Sequence, residues 1–215
     1  MGQNQNKQSD HVNKQLLDAA DSGILSEVKT LIKKKTDLET TKNHGYTPLI
    51  GAAKNGHLDV VRCLLEAKSD LEAETKLGCT PLNIAALHGR LDVVRYLIKE
   101  ASAILETTDI NECTPLISAA KNGHLNVVQC LLEARSNLEA ETKIRNTSLN
   151  IAAWCGRLNV VQYLVNETSS NLETMNDYDC NPVMSSAKRG HLNVIKCLLK
   201  PKAASKQRMR TGELL

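Results

Sequence analysis

The chain has 215 residues and a formal net charge of +3, too small a surplus to argue for nucleic acid as a partner by itself. Aromatic residues make up 2% of it and Phe is absent, which excludes a core built on large rings and leaves Leu, Val, Ile and Ala to supply one. An odd count of seven cysteines and no apolar N-terminal run point away from secretion, and no stretch nears the ~18 apolar residues of a membrane span.

Residues 1–10, MGQNQNKQSD, are polar and aperiodic, and read as a disordered N-terminal tail. Residues 11–43 read as a degenerate repeat that caps the units C-terminal to it. Leu16, Leu17, Ala19, Ala20 and Gly23 match Leu49, Ile50, Ala52, Ala53 and Gly56 at an offset of 33, with Lys14-Gln15 in place of a later Thr-Pro. A polar capping repeat is what the exposed end of a stacked array needs.

Residues 44–200 then carry five repeats, opened by Thr47, Thr80, Thr114, Thr147 and Asn181 at spacings of 33, 34, 33 and 34. A fixed period in this range is the mark of a solenoid. Within repeat 1, Thr47 can cap a first helix and Pro48 suits its first position, where no N–H is needed. Ala52 and Ala53 keep that helix slim, and Gly56 ends it. Leu58, Val61, Leu64 and Leu65 form the apolar stripe of a second helix, and a hairpin-like connection through Leu71 leads on. Glycines 23, 56, 89, 123, 156 and 190 hold one place in each unit, which sets the count at six.

A double period is superimposed. Thr47–Lys76 and Thr114–Lys143, 67 residues apart, differ at only five positions, as duplication of a two-repeat block would produce. Odd repeats read GHL and carry Cys63, Cys130 and Cys197; even repeats read GRL and carry Tyr96 and Tyr163. Asp59 with Arg62 and Asp92 with Arg95 are spaced as i,i+3 ion pairs, and the second copy replaces all four by neutral amides.

A unit reading T-P-L-x-x-A-A-x-x-G-H-L-x-V-V-x-x-L-L-E-A resembles the ankyrin repeat, over roughly Lys14 to Lys200. The resemblance implies an all-α solenoid of stacked helix-turn-helix units joined by hairpin loops, and an interaction module for a protein partner rather than an enzyme. Three departures stand out. The histidine that follows T-P-L in the family's T-P-L-H motif is replaced by Ile50, Asn83, Ile117, Asn150 and Met184, which removes a polar bridge between repeats. Glu39, Glu72, Glu106, Glu139 and Glu173 take the hairpin position where the family often has Asn, as a ladder about one Debye length apart that repels only mildly. The glycine that usually ends the second helix is Lys35, Lys68, Arg135 or a small polar residue.

Catalysis is not expected. Cys63, Cys130 and Cys197 recur two repeats apart, and helices stacked at ~8–10 Å put their sulfurs far beyond the ~2.3 Å bonds of a shared zinc. His57, His124 and His191 fall under the same argument. No cofactor or metal is therefore expected, and no nucleophile–base pair is visible. What the resemblance does imply is a binding surface on the concave side, at the hairpin tips and the exposed face of the first helices. That surface takes in Tyr46, Lys54 and Asn55, then Leu77, Leu87 and His88, then Ile110, Lys121 and Asn122, and last Ile144, Trp154, Tyr178, Lys188 and Arg189. Lys-Asn on odd repeats alternates with Leu-His or Trp-Cys on even ones, a stripe suited to an amphipathic or acidic peptide.

Residues 201–215 read as a disordered basic tail, with six basic residues and no acid between Lys196 and Arg210. The second helix of repeat 5 keeps the apolar pattern of an internal repeat, so either further repeats are lost here, the tail folds over it or this end frays, with fraying or truncation the favoured expectation. The sequence thus points to a monomeric cytoplasmic scaffold or adaptor. Rival readings are a nuclear regulator that meets nucleic acid or an acidic partner through the basic tail, and a piece of a longer ankyrin scaffold.

Overall fold

The computed structural model describes residues 2–200, with side chains from Ser9 onward, so the basic tail lies outside the described residues. Twelve α-helices pair into six units along the described chain. Helices α1 (Gly2–Ser22) and α2 (Leu25–Lys33) form the capping repeat, followed by α3 (Pro48–Asn55) with α4 (Leu58–Glu66). Next come α5 (Pro81–Leu87) with α6 (Leu91–Lys99), and α7 (Pro115–Asn122) with α8 (Leu125–Glu133). Repeats 4 and 5 supply α9 (Ser148–Trp154) with α10 (Leu158–Glu167), and α11 (Pro182–Lys188) with α12 (Leu192–Leu199). First helices pack on first helices and second on second, so the array has two helical layers.

Local chemistry produces each helix. Thr47, Thr80, Thr114 and Thr147 accept the N–H of the residue three positions on, and Asn181 does so for Met184 at 3.0 Å. Ser148 at the first position of α9 keeps this geometry without proline. The first helices are apolar nearly all round, because Ala52-Ala53, Ala85-Ala86, Ala119-Ala120 and Ala152-Ala153 are buried between neighbouring units. The second helices are amphipathic: Val60, Val61 and Leu64 face the core, as do Val93, Val94, Leu97 and their later counterparts, while Asp59 and Arg62 face out. Asp92 and Arg95 meet at 3.9 Å, but Asp59 and Arg62 do not pair, because the Arg62 guanidinium lies over the Tyr96 ring at 5.0 Å.

Helix α1 departs from the expected disordered tail over residues 1–10. It starts at Gly2, well before its first core contact at Val12 and its first buried residues at Leu16 and Leu17. No proline interrupts the run, and a helix once nucleated by its packed turns extends at little cost. Ser9, Asp10 and His11, the turn before Val12, are exposed.

Between units the backbone turns back as a hairpin whose tip bonds to the tip before it. The N–H groups of Lys76, Ile110, Lys143 and Asp177 donate to the carbonyls of His44, Leu77, Asn111 and Ile144 at 2.9–3.2 Å. Side chains add a second register. Glu39, Glu72, Glu106 and Glu139 accept the N–H groups of Asp70, Ile104, Asn137 and Asn171 in the following unit at 2.8–3.2 Å. The glutamate ladder is thus a row of staples between repeats and not merely a line of weakly repelling charges.

The polar bridge expected to be lost is present in the even repeats. Buried Asn83 donates to the carbonyls of Thr107 (3.2 Å) and Cys113 (3.5 Å), and Asn150 to those of Thr174 (3.0 Å) and Cys180 (3.3 Å). The amide is long enough to span to the next hairpin, so it replaces the imidazole; Ile50 and Ile117 in the odd repeats make apolar contacts instead.

The GHL and GRL variants also solve one problem in two ways. His57, His124 and His191 place Nε2 at 2.9–3.1 Å from the carbonyls of Asp21, Leu87 and Trp154, at the end of the preceding first helix. Arg90 and Arg157 donate Nε to the carbonyls of Lys54 and Lys121 at 2.9 Å, filling the same role in even repeats. Gly89 has φ +68°, and a Cβ there would stand 2.5 Å from Nδ1 of His124, so both conformation and space require glycine.

Candidate partner-binding face

The expected contact residues divide into three groups. Leu77, Ile110, Ile144 and Tyr178 stand exposed at successive hairpin tips, with Tyr178 65% accessible. Lys121, Lys188 and Arg189 are exposed at the ends of first helices, while Tyr46, Lys54 and Leu87 are half-buried. The Lys54 ammonium lies 5.2 Å from the centre of the Tyr46 ring, an on-face cation–π pair.

The third group is already occupied within the fold. Asn55 donates its amide to the carbonyls of Asp21 and Gly51, both at 3.1 Å, and Asn122 donates to Ser118 at 2.8 Å. His88 places Nδ1 3.0 Å from the carbonyl of Ile84 in its own helix. These side chains hold helix ends and offer a partner little beyond shape.

Five expected residues converge with others that sequence reading missed. A cavity of about 410 Å³ opens between the last two hairpin tips and helices α9 and α11. Ile144 and Tyr178 form its tip side, Trp154 and Ile151 one helix wall, and Lys188 its rim. The Arg189 guanidinium stacks on the Trp154 ring at 4.9 Å, leaving the indole 38% exposed. Its floor is a pair of buried asparagines, Asn176 donating to Asn146 at 2.8 Å, beside Cys180. The Oδ1 of Asn176 also accepts the N–H groups of Tyr178 (3.0 Å) and Cys180 (3.1 Å), which fixes the tip that carries the tyrosine.

The floor residues were recoverable from the double period. Moving back 67 residues, Leu77, Cys79, Leu87, Asp109, Asn111 and Cys113 occupy the positions of Ile144, Asn146, Trp154, Asn176, Tyr178 and Cys180. Asp109 plays the tip-fixing part there, its carboxylate accepting from Asn111 (2.8 Å) and Cys113 (2.9 Å). Burial first, and this carboxylate second, push the Cys113 thiol up to about 11. Such a thiol is held neutral and is a poor nucleophile. Burial likewise raises Cys63, Cys79, Cys130 and Cys197.

Among the described residues no group of three or more His, Cys, Asp or Glu side chains is arranged to hold a metal ion, and no helix is long and apolar enough to cross a membrane. The architecture is therefore that of a helical repeat solenoid whose exposed tips and first-helix ends share one face. A family model described as Ankyrin repeats (3 copies) matches residues 16–109 and 102–176, and the chain belongs to that family. Among curated proteins, none matches the chain. Ankyrin repeats are in general protein–protein interaction modules.

Proposed function

We propose that this chain is a non-catalytic interaction module whose hairpin tips and first-helix ends hold an acidic or amphipathic segment of a protein partner. The observation that carries this reading is the charge of the first-helix face. From Pro48 to Gly56 and through the four equivalent segments ending at Gly89, Gly123, Gly156 and Gly190 there is no carboxylate, whereas Lys54, Lys121, Lys188 and Arg189 are all present. Beside them runs the row of exposed apolar tips, Leu77, Ile110, Ile144 and Tyr178. Cationic and apolar sites side by side favour a partner that alternates carboxylates with apolar side chains, and the cations would speed its arrival as well as hold it.

A fluorescein-labelled peptide of about 20 residues, with Glu and Leu alternating every third position on a Gly-Ser background, tests this by anisotropy. Saturable binding that weakens with salt and is lost in the Lys54→Glu, Lys121→Glu, Lys188→Glu triple variant is expected. Binding indifferent to the triple reversal would overturn the reading.

A further inference from the structure

We infer that the cavity between Trp154 and Tyr178 is an anchor pocket for one large apolar side chain of a partner segment that carries a carboxylate next to it. This rests on the interaction-module reading above and names the chemistry of one subsite within it.

The two sister blocks differ at this cavity in a way the fold does not demand. Residues 67 apart hold equivalent places, and the first block fills them with Leu87 at the helix end and Asn111 at the tip. The second block has Trp154 and Tyr178 at those places, so neither ring is needed to build the repeat. Tyr178 is largely uncovered at 65% accessible and Trp154 partly so at 38%, around a cavity that no side chain of the described chain fills. Its volume of about 410 Å³ lies toward the small end of the range, ~300–1,000 Å³, typical of ligand clefts. That suits one bulky side chain and the backbone beside it. Aromatic walls around a preformed apolar hollow are the usual setting for the few residues that dominate a protein interface.

Charge decides what stands next to the anchor. The sister floor carries the half-buried Asp109 carboxylate, whereas here the same tip is fixed by the neutral Asn176, which leaves no negative charge at that position beneath the site. On the helix side, Lys188 stands at the rim, and the exposed Arg189 places its guanidinium over the Trp154 ring at 4.9 Å. Asp177 and Asp179 are exposed on the tip itself, so the positive side of the pocket is its α11 side, and a partner's carboxylate is placed there rather than over the tip. An arginine stacked on tryptophan is preorganised, and so loses less side-chain freedom on pairing with a carboxylate than a free lysine would.

The test uses the full chain and two fluorescein-labelled octapeptides, Gly-Glu-Glu-Phe-Glu-Glu-Gly-Ser and its counterpart with every Glu replaced by Lys, read by anisotropy at one salt concentration. The acidic peptide should saturate, and the basic one should not. Trp154→Leu and Tyr178→Asn, each the residue of the sister block, should weaken the acidic peptide by about tenfold or more, as loss of an aromatic anchor does. Trp154→Phe should retain most of the affinity, and Lys188→Glu should weaken binding while leaving the thermal midpoint in place. In the native chain, emission from Trp154, the one tryptophan, should shift to the blue as the peptide binds. Affinity unchanged in Trp154→Leu but lost on reversing Lys54, Lys121 and Lys188 would overturn the pocket and leave the module reading standing. Equal binding of the two octapeptides would overturn the pocket's charge preference. No saturation with the acidic octapeptide, while the longer alternating peptide still binds, would overturn the pocket alone.

Discussion

The carboxylate of Glu72 accepts the backbone N–H of Ile104 at 2.9 Å, joining the hairpin of one repeat to that of the next. Its other oxygen is buried without a partner. Burial is the leading cause that raises the Glu72 carboxyl above its ordinary 4.5, with the bond from Ile104 acting in the opposite direction. Glu39, bonded to Asp70, is raised for the same first reason. A carboxyl raised on folding favours the fold below its unfolded value, and loses that contribution as pH climbs through the folded one.

The staple therefore works through its acceptor oxygen and not through its charge. Glu72→Gln keeps an acceptor and should raise the urea midpoint at about pH 7, with the difference from the native chain vanishing near pH 3.5. Glu72→Ala should lose ~0.5–1.5 kcal/mol at both. A Gln variant weaker than the native chain at neutral pH would show that the carboxylate charge itself stabilises the joint.

Asn83 is buried and bonded at both ends of its amide, to Thr80 and Thr107 through oxygen and to the Thr107 and Cys113 carbonyls through nitrogen. Replacing it with Ile, the residue of the odd repeats, should cost ~1–3 kcal/mol because the hydroxyls and carbonyls it served stay buried. Chemical denaturation measures this directly, and a neutral substitution would mean that water takes over the bridge.

Lys68 and Arg135 end their second helices with φ of +73° and +69°. A left-handed residue with a Cβ costs roughly 1–2 kcal/mol, and glycine's greater freedom in the unfolded chain gives back about 0.5–1. Lys68→Gly should accordingly stabilise by a few tenths to about 1 kcal/mol. An unchanged or lower denaturation midpoint would count against strain at this bend.

Repeat 5 is the less covered end of the described array. Leu192 and Leu199 are 59% and 62% exposed, and a Cβ on Gly190 would meet nothing within 4 Å, where the one on Gly89 would strike His124. Few buried contacts mean low local stability. Amide hydrogen exchange over Leu192–Leu199 should be much faster than over Leu58–Leu65. Equal protection would overturn the low local stability assigned to this end.

The amino-acid order alone determined the unit, its count and its helix ends. A Thr cap, a first-turn proline and a left-handed glycine act within four residues of themselves, so their chemistry is written where it operates. It also set Trp154 apart from Leu87, because a near-copy of the same block stood 67 residues away for comparison, whereas the contrast of Tyr178 with Asn111 mattered only once the cavity brought the two rings together. What joins the units could not be read in that way. His57 meets the carbonyl of Asp21 and Glu39 the N–H of Asp70, 36 and 31 residues apart, and in each pair one partner is a backbone group with no side-chain signature. Only the stacking of repeats decides which carbonyl a histidine reaches, and whether Asn83 bridges or Asn55 is spent within the fold. The same stacking places two rings, an asparagine floor and a cationic rim around a single hollow, because two adjacent turns of the solenoid share in supplying them.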